Sequence, residues 1–520
     1  MKLFGLNLSK SKPNITPKIE ANYGNLMGSY SVTFDGEKNA GELGNIINYT
    51  LDYEKLRARS WQSYLENEIT GTIIDRYAIW VIDKGLKLQC QPSKLVLKSE
   101  GVNIDAEEFN AITEARFNLF AKSKTSSYSG MKNLNQLSKQ VFKGAKVGGD
   151  ELVILRYVDN KVKVEHIDGG LIGGNLLMAH AVTGNKIING VEVDSKGKHI
   201  AYHTFGELGH PPQRIKAWSE ITGLRMAFLV YGSEFRKGSE RGMPIITTSL
   251  ETLSKIDRYK EAAVGGAEER QKIALFIEHD LNSDGTSPWE ESVVSSFGNN
   301  DNQVSEAVDS NGVVLQNTVA STTGKQAVNL TNGSTIKSVS SDQELFFKEF
   351  WETNANIICG NLGIPPNIAW SLYTDSFSSS RTATKDWEHT MDVERNDFQI
   401  QFYEPIFAMW FHMEVLKKKI NAPGYLKAFS ENNTDITESY LNVRYTGPNF
   451  PHIDPLKEAK AERAILGSSF DHVPLTSVEK SIEKLDGGDS NSILEQASNE
   501  LKTAEKLGFK PEEILPVVSE

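Results

Sequence analysis

The sequence predicts an α+β protein in which long helices flank a small β-rich insert. Three observations support this class. Apolar residues recur at helical spacing in two blocks near the N-terminus, residues 150–216 alternate as strands do, and two further helical stretches enclose a segment of small polar residues. The chain of 520 residues is long enough for about three or four domains, or for one large elongated subunit.

The first 243 residues divide into an arm and a domain. Residues 1–49 mix Gly, Asn, Lys and Pro with few apolar clusters, which predicts an irregular arm. Apolar residues then recur every three to five positions over 53–82 and 106–120, and this spacing predicts two helices. Between them, the alternation of residues 85–89 predicts a short strand.

A β-hairpin is predicted at the start of the β block. Leu152–Arg156 and Val162–Ile167 both have strand composition, and the turn-forming pair Asp159-Asn160 lies between them. Further short strands fit the sequence up to residue 204. Together with the helices before it, this block predicts one mixed domain over residues 50–243.

A long helix is predicted over residues 244–275, with an unusual centre. Two adjacent glycines there cost a helix about 1 kcal/mol each relative to alanine. Small side chains at such a position indicate either the close approach of a neighbouring helix or a bend. The small residues are Ala262, Ala263, Gly265, Gly266 and Ala267.

The composition of residues 281–340 and the signals after it predict a polar insert followed by two helices. Thirty of the sixty residues 281–340 are Ser, Thr, Asn or Gly, which fits either a disordered linker or a small β-rich excursion, since short apolar pairs punctuate the segment. Ser341–Glu344 forms a capping box that predicts a new helix start. A last long helix is predicted over 381–416, with a kink at 401–405 because Pro405 removes a backbone hydrogen bond.

The net charge of the chain differs from that of a conventional DNA-binding protein. The net charge is −12, whereas proteins that hold DNA are basic because they neutralise phosphates. Half of this excess lies in residues 451–520, a predicted helical region with 14 acidic and 8 basic residues. Two interpretations stay open, a solvated acidic tail domain and a surface that nucleic acid passes without adhering.

No enzymatic, metal or cofactor site is predicted. The chain lacks His-Glu-x-x-His, Cys-x-x-Cys and Gly-x-Ser-x-Gly, and Gly324-Lys325 lacks the preceding glycine and following hydroxyl of a phosphate-binding loop. Two cysteines, Cys90 and Cys359, are too few for a zinc cluster or a disulfide framework. No apolar run approaches the roughly 20 residues that cross a bilayer, so no membrane association is expected.

Several short motifs occur in a definite order along the chain. They are Gly148–Val153, Gly190–Asp194 with Ala201–His203, Arg241–Pro244, Leu362–Pro366, Ser378–Arg381, Asp454–Ala459 and Glu500–Gly508. No single motif is strong, but their order and spacing together resemble those of the lambda-like portal proteins of tailed bacteriophages over roughly residues 50–510. The segment 281–330 departs from this resemblance.

This resemblance implies a division of the chain and a DNA-contacting loop. It assigns a mixed α/β wing to 50–243 and 381–450, and a helical crown to 451–520. Two stem helices, 244–275 and 341–363, would enclose a clip at 276–340, and 364–380 would be a channel loop. In the stem, the small residues at 262–267 suit helices packed around a ring. The residues expected to face the channel are Trp370, Tyr373, Phe377, Ser379 and Arg381.

The resemblance also implies a function and its partners. It implies a ring of about twelve subunits at one capsid vertex of the virion, assembled in the host cytoplasm, through which double-stranded DNA is packaged and ejected. The partners implied are the terminase motor, the major capsid protein and the head–tail connector. Two alternatives stay open, another oligomeric head or baseplate protein and a carboxylate-dependent hydrolase. A hydrolase would require a pocket with paired carboxylates.

Overall fold

The structure is a computed structural model, and it describes most of the chain in nine segments and several isolated strands. The segments are 53–173, 184–205, 213–234, 240–272, 347–372, 377–448, 455–466, 476–486 and 490–506. The strands at 2–3 and 6–7 are the only described part of the expected N-terminal arm, so the prediction for residues 1–49 otherwise lies outside the described residues.

The fifteen α-helices of the described segments include two long ones, α6 and α9. In chain order they are α1 (Tyr53–Glu66), α2 (Glu68–Val81), α3 (Lys94–Ser99), α4 (Ala106–Lys122), α5 (Leu134–Gly148), α6 (Leu250–Lys272), α7 (Phe347–Asn361), α8 (Pro366–Trp370), α9 (Phe377–Phe398), α10 (Glu404–Leu416), α11 (Tyr425–Glu431), α12 (Thr434–Leu441), α13 (Pro455–Ile465), α14 (Val478–Asp486) and α15 (Ser490–Lys506).

The described strands are short and form small antiparallel sheets. They are β1 (Lys2–Leu3), β2 (Leu6–Asn7), β3 (Lys87–Cys90), β4 (Asp150–Val158), β5 (Lys161–Asp168), β6 (Lys186–Ile188), β7 (Val191–Val193), β8 (His199–Thr204), β9 (Gln213–Lys216), β10 (Ala227–Tyr231), β11 (Phe276–His279), β12 (Ala307–Val308), β13 (Val314–Leu315), β14 (Val319–Thr322), β15 (Lys325–Val328), β16 (Ser334–Lys337) and β17 (Val443–Thr446). The larger sheets have the orders β10-β4-β5 and β6-β7-β8-β9, and β3 pairs with β17. The mixed α+β class predicted from the sequence is therefore confirmed.

The chain separates into two compact units. Met1–Leu250 and Cys359–Glu520 form the first unit, and Glu251–Ile358 forms the second. The first contains the larger sheets and most of the helices, and the second contains the greater part of α6 and α7 with strands β11–β16 between them.

The core of the first unit is an aromatic cluster between α4 and α10. The Phe117 ring lies edge-on to Trp410, with 5.1 Å between centroids, and 5.7 Å from Phe407. Phe109 approaches Phe411 at 6.0 Å. Such edge-to-face pairs contribute about 0.5–1.5 kcal/mol each beyond burial of apolar area.

The hairpin predicted at Asp159-Asn160 is confirmed. Both turn residues have positive φ, 54° and 58°, which is the geometry of a two-residue type I′ turn. Strands β4 and β5 pair from Val158–Lys161 down to Glu151–Asp168. The register places Leu155 and Val164 together on one buried face.

The predicted kink at Pro405 corresponds to a change of helix type. Helix α9 begins at Phe377, four residues before the predicted start, and a π-helical turn at Gln399–Tyr403 connects it to α10. In this turn the Glu404 N–H donates to the Gln399 carbonyl, five residues back. The wider turn accommodates Pro405, which has no N–H and cannot continue a regular α-helical ladder.

The π-helical turn also connects two sheets through two glutamine side chains. Gln399 Oε1 accepts a hydrogen bond of 3.0 Å from the Tyr445 N–H, on the edge of β17. Gln401 Oε1 accepts one of 2.7 Å from the Tyr231 N–H, on the edge of β10. Each amide satisfies a strand-edge donor that would otherwise be unpaired.

The long helix predicted to begin at Pro244 begins six residues later. The structure shows α6 starting at Leu250, after a short 3₁₀ turn at Thr247–Ser249. The preceding backbone is held in the first unit instead, because the Ile245 N–H donates to the Lys146 carbonyl at 3.1 Å and Ile246 is fully buried. These tertiary contacts override the local helical pattern.

The second unit contains a helix pair and a described set of strands. The Tyr259 ring of α6 lies 4.4 Å from Phe350 of α7, centroid to centroid. Strands β11 and β16 pair antiparallel, as do β12 with β13 and β14 with β15. Strands therefore occur within the small-residue insert, while the capping box Ser341–Glu344 lies outside the described residues.

Candidate functional site

The predicted channel loop starts from a well-anchored base. The chain turns at Gly363 (φ 69°), and Ile364, Ile368 and Ala369 are buried. The hydroxyl of Tyr77, on α2, donates to the Leu362 carbonyl. Helix α8 packs against α2 and α9, so the short segment is fixed by apolar burial on two sides.

The residues after this base reach solvent. Trp370 is half-buried, Ser371 is exposed in a left-handed conformation (φ 55°), and Leu372 is 58% exposed. A large apolar side chain at that exposure is available for contact with another molecule. The guanidinium of Arg76 donates to the Ser371 hydroxyl and ties the exposed turn back to α2.

The remaining predicted channel residues lie at the start of α9. Ser379 and Arg381 are exposed on its first turns, whereas Tyr373 and the side chain of Phe377 lie outside the described residues. Two turns later Trp387 is fully buried and meets the Tyr77 ring edge-on at 5.0 Å. The structure thus places Trp370 at the end of α8, and Ser379 and Arg381 on the first turns of α9. Residues 373–376, between these two helices, lie outside the described residues.

The small residues of α6 are accessible within the single chain. Ala262 is exposed, and Ala263, Gly265, Gly266 and Ala267 are partly exposed. A Cβ added at Gly265 would meet no described heavy atom within 4 Å. The described part of the chain therefore does not require glycine there.

Two of the motifs meet at a buried ion pair. The Arg241 guanidinium contacts both oxygens of Asp150, through Nε to Oδ2 at 2.6 Å and Nη2 to Oδ1 at 2.8 Å. The Gly242 N–H donates to the same carboxylate at 2.9 Å. The remaining Arg241 donors reach three backbone carbonyls, those of Gly169 (2.6 Å), Asn189 (3.0 Å) and Ile172 (3.2 Å).

A second arginine extends this ion pair into a buried ionic network, consisting of Arg57, Asp150, Glu151, His166, Asp168 and Arg241. Arg57, on α1, contacts Asp168 at 2.9 Å and Asp150 at 3.2 Å. It also donates to the Gly148 carbonyl at 2.8 Å. His166 Nε2 lies 2.8 Å from Glu151 Oε2. The network joins α1, the end of α5, both hairpin strands and the chain before α6.

The two adjacent carboxylates of the network titrate differently. Burial alone would raise the pKa of Asp150, but Arg241 and Arg57 outweigh it and hold the pKa of that carboxyl below its usual value. Burial raises the pKa of Glu151 to about 7, against the opposing effect of His166. Asp150 is therefore an ion-pair partner at neutral pH, whereas Glu151 keeps its proton to a higher pH than an exposed carboxyl does.

A family comparison gives this arrangement its context. The family model described as phage portal protein, lambda family, matches residues 46–395, about two thirds of the chain. The chain belongs to this portal family. It therefore has a structural role in a phage particle, and the network of Asp150 and Arg241 lies within the matched part of a portal protein.

Similar solved structures come from gene transfer agent particles. In the virion of the native particle, a chain is 10% identical at a TM-score of 0.43, with 84% of the portal chain and 93% of the other covered. In the neck of the empty particle, computed with C6 symmetry, a chain is 11% identical at a TM-score of 0.41, with 84% and 94% covered. No curated protein matches the chain.

The ionic network of this portal protein has no room for a substrate. Its cavity measures about 30 Å³, which is enough for about one water molecule. Asp150 is bound by two guanidinium groups and a backbone N–H, which hold it as a structural ion-pair partner. Among the described residues, no three His, Cys, Asp or Glu side chains are arranged to hold a metal. These observations give no support for a hydrolase site at this network.

Sequence reasoning identified the motifs but missed their connection. Gly148–Val153 and Arg241–Pro244 were identified only as separate marks of resemblance, and Arg57 and Asp168 were not singled out. Arg57 lies between Lys55 and Arg59 in a polar helix, and the sequence carries no signal that distinguishes it from them. Among the described helices, none has the combination of length and hydropathy needed to span a bilayer.

Proposed function

We propose that this portal protein forms a ring of about twelve subunits that conducts double-stranded DNA through one vertex of the capsid. The observations that carry the proposal are the anchored turn 363–372, which has a buried base and an exposed Leu372, and the first turns of α9, where Ser379 and Arg381 are exposed. A segment built in this way holds its exposed side chains at a fixed place, as contact with a moving polymer requires. The same ring is the path for packaging and for ejection.

The charge of the chain suits conduction rather than tight binding. Twelve copies of −12 give −144 on the ring, so a channel lined by this protein repels phosphates over most of its surface. The local contacts with DNA are then made by the residues proposed to face the channel, which are Arg381, Ser379, Trp370, Tyr373 and Phe377. A guanidinium binds phosphate oxygens, and aromatic rings offer low-polarity contact with the duplex.

The remaining parts of the chain supply assembly and partner contacts in this proposal. The small residues at 262–267 allow α6 to approach a neighbouring subunit closely, since no described residue crowds Gly265. The strands of 276–340 form the clip that the terminase motor and later the head–tail connector bind. The wing, 50–243 with 381–450, contacts the major capsid protein, and the helices of 451–520 form the crown.

Assembly is tested first, by native mass spectrometry and negative-stain images of the purified protein. A ring of about twelve subunits with a central hole supports the proposal. A chain that stays monomeric at high concentration contradicts it. A closed oligomer without a through-channel points instead to another structural component of the phage head.

The channel role is tested by charge reversal in the assembled ring. Arg381→Glu is expected to reduce DNA packaging at least tenfold in a reconstituted motor assay without changing ring mass. Lys427→Glu is the matched control, because Lys427 is 77% exposed and lies on α11, outside the proposed channel segment. Equal loss in both variants would show that general charge, and not the predicted channel position, governs packaging.

A further inference from the structure

A cavity of about 450 Å³ lies beside the π-helical turn, between the end of α5, the end of β10 and the end of α9. We call it the β10 cavity. Its volume is within the range of about 300–1,000 Å³ that is usual for ligand pockets. Its polar lining comes mainly from Lys146, Ser233, Glu234, Glu394, Asp397 and Gln401.

Carboxylates outnumber cations in the β10 cavity. Lys146, whose side chain is 8% exposed, pairs with Glu394 at 2.6 Å and so neutralises one of the three carboxylates. Glu234 and Asp397 are exposed and form no ion pair with any described residue. One positive and three negative side chains leave −2, so the cavity attracts cations. Among the described residues, no three His, Cys, Asp or Glu side chains are arranged to hold a metal ion, and separate ammonium groups fit these carboxylates better.

Hydrogen-bond donors in the same cavity favour a peptide over a simple polyamine. The Lys146 ammonium donates to Glu394 and to the Gly232 carbonyl at 2.8 Å, and no described residue accepts its third N–H. Gln401 uses its Oε1 for the Tyr231 N–H, and its amide NH₂ has no described acceptor. A peptide offers backbone carbonyls to such donors and cationic side chains to the carboxylates, whereas a polyamine offers cations alone.

The β10 cavity also has an apolar part. The Ile400 side chain lines it and is 50% exposed, and the buried rings of Phe142 and Phe398 line it as well. An aliphatic side chain of the ligand would remove this exposed apolar surface from water. The cavity therefore fits a peptide that carries both lysine and aliphatic residues.

One segment of the chain has this composition. Residues 8–18, which lie outside the described residues, contain three lysines, two aliphatic residues, two prolines and no carboxylate, in a chain whose net charge is −12. Each proline fixes its own φ and restricts the residue before it to an extended backbone. The segment is Leu8-Ser9-Lys10-Ser11-Lys12-Pro13-Asn14-Ile15-Thr16-Pro17-Lys18.

The segment is close enough in the chain to reach the β10 cavity. Helix α1 begins at Tyr53, whose hydroxyl donates to the Arg241 carbonyl at 3.2 Å. Two residues further on, the Met243 N–H donates to the carbonyl of Ser233 at 2.8 Å, and Ser233 lines the cavity. Lys18 and Tyr53 are separated by 34 residues. A flexible chain of that length spans about 30–35 Å on average and up to about 110 Å when extended, so the linker is long enough.

We infer that residues 8–18 bind in the β10 cavity of their own chain, where their lysines pair with Glu234 and Asp397. Backbone carbonyls of the segment accept the remaining donors of Lys146 and Gln401. This contact fastens the start of the chain beside the π-helical turn and neutralises the two carboxylates there. It does not depend on ring formation, so it goes beyond the proposed function and is tested separately from it.

The test is disulfide trapping in the full-length protein, with oxidised glutathione as the oxidant. Ser11→Cys and Ser233→Cys place one thiol in the segment and one in the cavity lining. The native cysteines, Cys90 and Cys359, are buried and so do not compete. Peptide mapping of the monomer identifies the disulfide within a chain, and a dimer band on a non-reducing gel identifies one between chains.

The matched control pairs Ser11→Cys with Ser430→Cys, because Ser430 is also an exposed serine and lies on α11, away from the cavity lining. The disulfide between positions 11 and 233 should form within the chain at least tenfold faster than the control disulfide. Free cysteine reactivity is measured with a small thiol reagent at positions 233 and 430, so that a difference in exposure is separated from a difference in proximity.

Charge reversal tests how the segment is recognised. Adding Glu234→Lys and Asp397→Lys to the trapping pair should remove the tenfold advantage, because the cavity then repels the lysines. Adding Glu220→Lys and Glu431→Lys instead, at side chains 75% and 60% exposed elsewhere, should leave it unchanged.

A second variant acts on the segment and leaves the cavity intact. Lys10→Glu with Lys12→Glu should remove the same advantage, and its combination with the reversed cavity should restore it. Since this variant changes no described residue, its result holds even if the reversed cavity alone fails to fold, which circular dichroism reports.

Three results would overturn the inference. The disulfide between positions 11 and 233 could form no faster than the control disulfide. It could form mainly between chains, which would assign the segment to the cavity of a neighbouring copy. The trapping rate could also stay unchanged when the lysines of the segment are reversed, which would show that the carboxylates do not recognise it.

Discussion

The buried pair of Asp150 and Arg241 makes the strongest prediction about stability. Replacing Asp150 with asparagine keeps the shape of the side chain and removes its charge. The Arg241 guanidinium, whose side chain is only 6% exposed, is then left with backbone carbonyls and a neutral amide as partners. Burial alone would lower the pKa of Arg241, and Asp150 outweighs it; without Asp150 the guanidinium still stays charged, because arginine is not deprotonated in proteins.

The magnitude follows from the burial of the pair. Removing one partner of a buried ion pair costs about 3–5 kcal/mol, because the other charge is left uncompensated. With a urea m-value near 3 kcal/mol/M, this corresponds to a fall of about 1 M in the unfolding midpoint. For comparison, an exposed pair such as that of Asp159 with Lys163 at the hairpin tip contributes only about 0–1 kcal/mol to stability.

The assay is urea unfolding followed by circular dichroism at one fixed protein concentration. Asp150→Asn should lower the midpoint by about 1 M, and Asp159→Asn, the matched control, should change it little. Adding Arg241→Met to the Asp150→Asn variant removes the uncompensated charge. The double variant should therefore be more stable than the sum of the single effects by about 0.5–3 kcal/mol.

A small effect would refute this reasoning. If Asp150→Asn shifts the midpoint no more than Asp159→Asn does, the guanidinium must be solvated in the folded chain, and the network is not the anchor that its distances suggest. Strict additivity in the double variant would lead to the same conclusion.

Three further variants test other features of the structure. Because burial raises the pKa of Glu151 from 4.5 to about 7, the native state keeps a proton that the unfolded chain releases, and up to about 3 kcal/mol of stability is lost as pH rises from 4.5 to 7. Glu151→Gln should therefore flatten that part of a plot of urea midpoint against pH. An unchanged slope would mean that another group causes the pH dependence. Gly242→Ala should lower the free energy of unfolding by at least about 2 kcal/mol, since its Cβ would lie 2.0 Å from the Gly149 carbonyl oxygen; a neutral effect would mean that the two backbones can separate. Gly265→Ala should stabilise α6 by about 1 kcal/mol in thermal unfolding of the protomer yet weaken assembly in mass photometry, and unchanged assembly would remove Gly265 from the proposed subunit contact.

Local chemistry determined the parts of the fold that the sequence predicted well. The hairpin follows from Asp159-Asn160, which adopt positive φ more readily than most residues, and from strands whose alternation fixes the register. The strands at β13 and β15 fall on the apolar pairs noted in the insert. Each of these elements is decided by residues close together in the chain.

Long-range contacts decided what the sequence did not predict. Arg241 and Asp150 are 91 residues apart, and nothing in the neighbourhood of either indicates the other. Pro244 begins a helical pattern, yet the hydrogen bond from Ile245 to Lys146 holds this stretch out of the helix. The candidate channel residues were likewise assigned by resemblance to a family, and their place in a ring stays a prediction.

The π-helical turn at Gln399–Tyr403 fixes the rotational phase between the two helices that it joins. In an α-helix each residue advances the side-chain direction by about 100°, so one residue gained or lost turns every later side chain to a different face. Deleting one residue of this turn would restore regular α-helical hydrogen bonding and rotate α10 by that angle relative to α9. Phe407 and Phe411 would then leave the aromatic core, while Trp387 and Met391 stayed in place. The apolar faces of α9 and α10 thus follow different rotational phases, and the one extra residue of the π-helical turn lets both faces point into the core.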